Sequence, residues 1–355
     1  KRYWTSAGFP TTTAEPTVSE TTYTAQNPHE RIRAYRRDVQ AALSRDVTIV
    51  DVRSPEEYRG EVVEGSDVRV EKRESDGERV VTWTTPVGAL TERWRYSPDS
   101  FSWGHVEFPV KSPDDLPTLR HIWAGRTYQP CYDRVEQLDR DMDDHGLPVI
   151  AVTQSPMADL YRNWIGVIQL SYMLLDAPYE IDRTLATIAA AQEPMWRITA
   201  EAPCGYVMLC ENFTAEGYGG LFDAYFRDFL AAKIDAFHTR GQKVLCHIDG
   251  TLRGLAGRLP DIGVDCLDAV TPAPVGDVPV GSLRDEIGPD ALILGGLPGA
   301  MFAPPFTDSD MEQHVKELIR VHKDSGKFVL GVADQVPPDG DINRVRLISD
   351  LVEDY

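Results

Sequence analysis

The sequence is poor in lysine and cysteine, and it contains no long hydrophobic run. Only 8 of its 36 basic residues are lysine, which leaves 28 arginines against 56 acidic residues and a formal charge of 36 − 56 = −20. No stretch reaches the roughly 18 consecutive apolar residues of a membrane-spanning helix. A chain this negative repels phosphate groups, which argues against nucleic acid or a membrane as a partner.

The five cysteines, at positions 131, 204, 210, 246 and 266, are odd in number and form no C-x-x-C pair. This usage argues against a disulfide framework or a cysteine-rich zinc site and predicts a cytoplasmic location. The acidic, lysine-poor composition indicates a halophilic cytoplasm, where salt screens self-repulsion over a few ångströms. An ordinary acidic protein from a GC-rich genome is the alternative.

The chain changes character along its length. Residues 1–27 are rich in Thr, Ser and Pro and predict an irregular extension, whereas 28–44 have helical periodicity and 47–52 read as a short buried strand. Two alternating segments flank Asp76–Gly77 within residues 68–85, which predicts a β-hairpin, and residues 89–96 predict a third strand.

From residue 148 onward, apolar strand-like runs alternate with helix-like segments. This rhythm indicates βαβ units and a parallel sheet. No G-x-G-x-x-G or P-loop motif follows a strand, so a nucleotide-binding doubly wound sheet is disfavoured. We therefore predict an α/β fold, a (β/α)8 TIM barrel with an inserted β-hairpin and an irregular N-terminal extension, whose first two strands precede residue 148. The six predicted strands are residues 148–154, 205–212, 243–249, 266–272, 291–297 and 327–334.

Polar residues end these runs, where the active sites of barrel enzymes lie. For each one alone, a helix cap or loop residue is the simpler interpretation, but their repetition favours a shared site. We expect Glu211, His247 and Asp249 to be catalytic. The expected substrate-binding residues are Gln154, Asn212 and Thr271.

His247 and Asp249 stand two residues apart and should share one face of a strand. With Asp334 from another strand, they form a predicted divalent-metal set, His247, Asp249 and Asp334. The alternative is an uncharged, hydrogen-bonded histidine beside a structural aspartate.

Residues 66–355 resemble the uroporphyrinogen decarboxylase superfamily in TTPVGALTERWRY, HVEFPVKSPDDL, VLCHIDGTLRGL, LILGGLPGAMF and FVLGVADQVPPDGDINRV. The resemblance implies a barrel with either of two chemistries, decarboxylation of uroporphyrinogen or methyl transfer involving corrinoid proteins. The methyltransferases bind zinc through H-x-C and a distant Cys, whereas this chain has His247-Ile248-Asp249 and Asp334. The decarboxylases carry R-Q-A-G-R near the N-terminus, and this chain lacks it.

Residues 1–61 resemble another family. The string DVRSPEEY at 51–58 is similar to the thiosulfate sulfurtransferase (rhodanese) pattern, but no cysteine has the C-x-x-G-x-R context of its nucleophile. We therefore divide the chain into a rhodanese-like fragment or linker, 1–61, and a decarboxylase-like barrel, 62–355.

The leading hypothesis is metal-assisted methyl transfer, with a divalent metal, zinc being the first candidate, and a corrinoid or folate methyl carrier. The predicted partners are a small-molecule substrate and a corrinoid protein, and a homodimer fits as well. The alternative is a metal-free lyase of tetrapyrrole synthesis, which needs arginines such as Arg162 or Arg253 at the mouth of the barrel. A third reading is an inactive fusion with a rhodanese remnant.

Overall fold

The computed structural model describes residues 61–98, 100, 102–142, 146–337 and 339–353. The predicted helix at 28–44 and strand at 47–52 lie outside these residues.

The first part of the described chain is antiparallel. A four-stranded sheet has the order β2-β3-β4-β5, and a separate strand, β1, pairs with β6. The predicted hairpin is confirmed, since Ser75 pairs with Glu78 and the turn residues Asp76 and Gly77 have φ angles of 51° and 75°. The third strand is confirmed, and a fourth strand that the sequence did not predict pairs with it. The strands are β1 (Glu61–Val63), β2 (Arg69–Ser75), β3 (Glu78–Thr85), β4 (Gly88–Ser97), β5 (Ser102–Glu107) and β6 (Thr127–Gln129).

The second part is a six-stranded parallel sheet whose strands follow one another in chain order. Each predicted run from residue 148 onward supplies one strand. Both faces of the sheet are covered by apolar residues, as expected for strands joined by helical crossovers. The strands are β7 (Ile150–Val152), β8 (Tyr206–Phe213), β9 (Lys243–Ile248), β10 (Cys266–Val270), β11 (Leu292–Leu297) and β12 (Phe328–Val332).

Helices connect these strands and cover the sheet. They are α1 (Leu116–Ala124), α2 (Tyr132–Met142), α3 (Pro156–Asp159), α4 (Val167–Asp176), α5 (Pro178–Glu201), α6 (Ala215–Tyr218), α7 (Arg227–Thr239), α8 (Arg258–Asp261), α9 (Leu283–Ile287), α10 (Asp308–His322) and α11 (Asn343–Glu353). None of the helices described has the length and apolar character needed to cross a bilayer.

The strand order agrees with a TIM barrel, because neighbours in sequence are neighbours in the sheet. Closure and the count of eight strands stay predictions. Within the described ranges, β7 and β12 end the sheet, and the strands before residue 148 pair in the two separate antiparallel sheets. The parallel sheet nevertheless brings the polar carboxyl ends of its strands to one edge.

Candidate active site

Glu211 owes its position to an irregularity in strand β8. The ladder between β8 and β9 shifts register between Leu209 and Phe213, and Asn212 has a φ of 51°, in the left-handed region. Asparagine tolerates this conformation better than most residues. Such bulges redirect side chains next to functional sites, and here the bulge lies where the apolar run becomes polar.

The Glu211 carboxyl group is fully buried, with 0% exposure. One oxygen accepts a hydrogen bond from the backbone N–H of Ser155 at 2.8 Å, and the other accepts one from the Ser155 hydroxyl at 2.8 Å. Burial raises the pKa of Glu211 to about 7, although the two Ser155 bonds act in the opposite direction. Glu211 can therefore give up or take a proton near neutral pH.

Arg162 lies beside Glu211 on a turn of π-helix, Leu160–Trp164, which continues directly from α3. Such turns are rare and often occur at functional sites. The Arg162 Nη1 atom is buried and has no hydrogen-bond partner among the described residues. The positive charge of Arg162 is close enough to act on the pKa values of Glu211 and Tyr218, lowering both against the larger effect of burial. An unpaired buried guanidinium nitrogen is a ready donor for an anionic ligand.

A series of hydrogen-bonded side chains near the end of β7 supports Glu211 and Arg162. The Asn163 amide donates to Asp159 and, at 3.3 Å, to the Gln154 side-chain oxygen. The Trp164 indole N–H donates to the other Asp159 oxygen at 3.3 Å. Burial raises the pKa of Asp159, and its carboxyl group in turn raises that of Glu211. Asn163 thus links Gln154 to Asp159, and the substrate-binding role of Gln154 stays a prediction.

His247 lies on β9 and faces Asp268, its register partner on β10. The two side chains meet at 2.7 Å between His247 Nδ1 and Asp268 Oδ2. Burial acts to lower the pKa of His247, but the carboxylates of Asp268, Asp249 and Asp334 together outweigh it and raise that pKa. These carboxylates therefore stabilise the imidazolium form more than in an ordinary histidine, and Nδ1–H faces Asp268.

The remaining predicted residues are placed differently. Asn212 donates to Asp249 at 3.3 Å, which joins the ends of β8 and β9. Thr271 is buried and donates to the Ala269 carbonyl at 3.1 Å, a local structural bond. Asp334 is exposed beyond the end of β12, and its charge reaches His247.

The predicted metal ligands come from the ends of β9 and β12. The charges of Asp249 and Asp334 both act to raise the pKa of His247. Across the described residues, however, no three His, Cys, Asp or Glu side chains are grouped so that they could hold a metal ion. The ligand set therefore does not fit a metal centre in this arrangement.

Four contributors were not among the predicted residues: Ser155, Asp159, Asn163 and Asp268. Asp268 carried a signal, since it is the one charged residue within the apolar strand Cys266–Val270. Ser155 directly precedes α3 and Asp159 ends it, whereas Asn163 lies on the π-turn that follows, which no sequence pattern specifies. Arg253, the other proposed mouth arginine, is exposed and donates to the Asp277 carbonyl at 2.9 Å.

A cavity of about 360 Å³ adjoins this cluster. It does not contain Glu211, His247 or Asp249, and it meets the site through Asp159, Asn163 and Trp164. Its other walls come from the β2–β5 sheet, from α1, α2, α5 and β6, and from the edge of β7.

Most of the chain is similar to one known protein family. Residues 97–355 match the family profile described as uroporphyrinogen decarboxylase (URO-D). A solved methyltransferase from Methanosarcina mazei superposes with a TM-score of 0.51 at 12% identity, covering 74% of each chain. At that identity the likeness concerns the fold alone. A xylose isomerase domain protein from Planctomyces limnophilus gives a TM-score of 0.38 at 14% identity, over 63% of this chain and 83% of that one.

A second relative matches only a short segment. A protein named as a thiosulfate sulfurtransferase, from Haloferax volcanii, is 48% identical over 61 residues, which is 17% of this chain. The chain spans about a fifth of that protein's length, 21%. The match supports the resemblance to a sulfurtransferase fragment and says nothing about its activity in this chain.

Proposed function

The chain belongs to the uroporphyrinogen decarboxylase family, and we propose that it is a carboxy-lyase that removes CO2 from a porphyrinogen or a smaller organic acid. The observation that carries the proposal is the pairing of buried Glu211, whose pKa is about 7, with the unpaired guanidinium nitrogen of Arg162. Decarboxylation needs these two functions, a donor that holds a carboxylate and an acid that delivers a proton.

In the proposed reaction, Arg162 Nη1 donates a hydrogen bond to a carboxylate of the substrate and so orients the substrate. The bond between the reacting carboxylate and its carbon breaks, CO2 leaves, and the electron pair stays on that carbon. Protonated Glu211 delivers a proton to the carbon and recovers one from solvent. The imidazolium of His247, held by Asp268, stabilises the negative charge that develops. Gln154, Asn212 and Asp249 position the substrate around the ends of β7, β8 and β9.

The proposal is tested by incubating the full chain with uroporphyrinogen. CO2 release and the mass of the products are followed together. We expect CO2 and a product that has lost one or more carboxyl groups. No CO2 from uroporphyrinogen or from smaller acids would contradict the carboxy-lyase.

Methyl transfer is the second candidate, and the His247–Asp268 pair favours it. A carboxylate on one imidazole nitrogen fixes the tautomer and orients the other nitrogen toward a ligand or leaving atom. The two candidates differ in a measurable way. Stoichiometric metal in protein purified without chelator, lost in His247→Ala, would favour methyl transfer, particularly if CO2 release is absent.

A further inference from the structure

The cavity beside the site has walls of aromatic rings. Its volume is about 360 Å³, whereas an engineered cavity of roughly 150 Å³ binds benzene. There is therefore room for a substituted ring. Four of the chain's seven tryptophans contribute to its walls. Its aromatic residues are Trp83, Trp94, Trp123, Tyr128, Tyr132 and Trp164.

Trp94 stacks on His105 with ring centroids 3.5 Å apart, whereas the other tryptophan rings meet at steep angles. The Trp83 and Trp164 ring centroids are 5.3 Å apart at an interplanar angle of 52°, and those of Trp123 and Trp164 are 6.3 Å apart at 64°. Tilted rings offer both faces and edges to their surroundings. Aromatic pairs favour edge-to-face and offset contacts, so such walls suit an aromatic guest better than an aliphatic one.

The charges around the cavity disfavour an ionic guest. The guanidinium of Arg126 already lies 4.3 Å over the Trp123 ring and 5.2 Å over the Trp164 ring. A second cation would be repelled from the tryptophan faces that usually attract one. Arg126 is itself neutralised by Glu64, which accepts from it at 2.8 to 3.2 Å. An anion would therefore gain little from Arg126, and it would meet the nearby acid Asp159.

We infer that this cavity binds an uncharged, planar aromatic ring. Asn163, which lines the cavity and donates to both Asp159 and Gln154, connects it to the proposed acid–base site. The claim that the ring belongs to a substrate rests on the proposed function, but the claim that the cavity binds such a ring does not.

Fluorine NMR tests the inference with four fluorinated probes, each carrying one six-membered ring, on the full chain at fixed salt. They are fluorotoluene, fluorobenzoate, a fluorobenzyl trimethylammonium salt and a fluorinated methylcyclohexane. We expect fluorotoluene to bind most tightly. Tighter binding of the cation, the anion or the aliphatic ring would overturn the inference, and so would the absence of binding by all four.

Two variants locate the binding. Ala202→Leu adds volume at the cavity wall and should weaken fluorotoluene binding about tenfold or more, while Trp94→Leu should weaken it about fivefold. The matched control is Trp103→Leu, because Trp103 does not line the cavity. Its ring instead lies under Arg79, whose Cζ atom is 4.1 Å from the ring centroid. Unchanged binding in both cavity variants, with each still folded by circular dichroism, would overturn the assignment.

The two proposals fail separately. Loss of ring binding with intact CO2 release would remove the aromatic site and leave the lyase standing. Ring binding without CO2 release from any acid would contradict the lyase and leave the aromatic site standing.

Discussion

Two buried glutamates show how differently the two halves of the molecule treat a carboxyl group. In the antiparallel sheet, Glu92 is 9% exposed and meets His105 at 2.8 Å, so a basic side chain faces it directly. At the end of the parallel sheet, Glu211 is 0% exposed and receives only the neutral donors of Ser155. Glu92 is thus held by a basic partner, whereas burial without such a hydrogen-bonding partner raises the pKa of Glu211 to about 7.

Glu211→Gln should give the largest effect. The amide keeps the size and some hydrogen bonds of the side chain but cannot deliver a proton. We expect turnover to fall about 10²- to 10⁴-fold with little change in folding. The matched control is Glu92→Gln, assayed with a non-aromatic acid because Glu92 also lines the aromatic cavity, and it should leave turnover within about threefold of wild type. Equal losses in both variants would erase the distinction between the two glutamates.

The same residue predicts how stability depends on pH. The pKa of Glu211 is about 7 in the folded protein against an ordinary 4.5, so the folded state binds the proton more tightly than the unfolded state. Its contribution is fully present below about pH 4.5 and is lost as the pH rises through 7. Wild type should lose about 3 kcal/mol over this range relative to Glu211→Gln.

Urea titrations of both proteins at a series of pH values measure this difference, because the other carboxyl groups respond alike in the two chains. Parallel stability curves for wild type and variant would show that the Glu211 pKa is not raised.

Arg162→Gln should have the next largest effect. Removing a charged donor from a substrate carboxylate is expected to raise KM about 10- to 100-fold with a smaller change in kcat. Arg253→Gln is the control, because that guanidinium already donates to the Asp277 carbonyl and is exposed. An effect of Arg253→Gln on KM as large as that of Arg162→Gln would show that Arg162 is not the specific donor to the substrate carboxylate.

Asp268→Asn should have the smallest effect. The variant removes the carboxylate that bonds His247, so the pKa of His247 should fall toward its ordinary value, and turnover should fall about 2- to 10-fold. Proton NMR titration of the histidines measures the pKa. Asp265→Asn is the matched control, since Asp265 meets His238 at 2.8 Å just before β10, away from the site. A His247 pKa that stays in place would exclude Asp268 as its positioning residue.

The sequence predicted the parallel strands well because their apolar runs are continuous and end in polar residues. It also predicted the hairpin, since Asp76–Gly77 supports a tight turn. The candidate site residues named from the sequence were strand-end residues such as Gln154, Glu211 and His247, together with the mouth arginine Arg162, and their roles stay predictions. The π-turn that carries Arg162 and Asn163 depends on tertiary packing and has no local sequence signal.

The proposed metal set shows the limit of reasoning from strand ends. His247 and Asp249 alternate with the buried Cys246 and Ile248, as a strand requires. The prediction did not include Asp268, because a residue on the neighbouring strand is matched to His247 by register, which the sequence of one strand does not encode.

The most direct test is a carbon NMR titration of the glutamate side chains, with the Glu211 signal identified by its loss in Glu211→Gln. The account predicts a midpoint near pH 7 for this carboxyl group. A midpoint close to the ordinary value of 4.5 would contradict it, because Glu211 would then be ionised at neutral pH and could not serve as the acid.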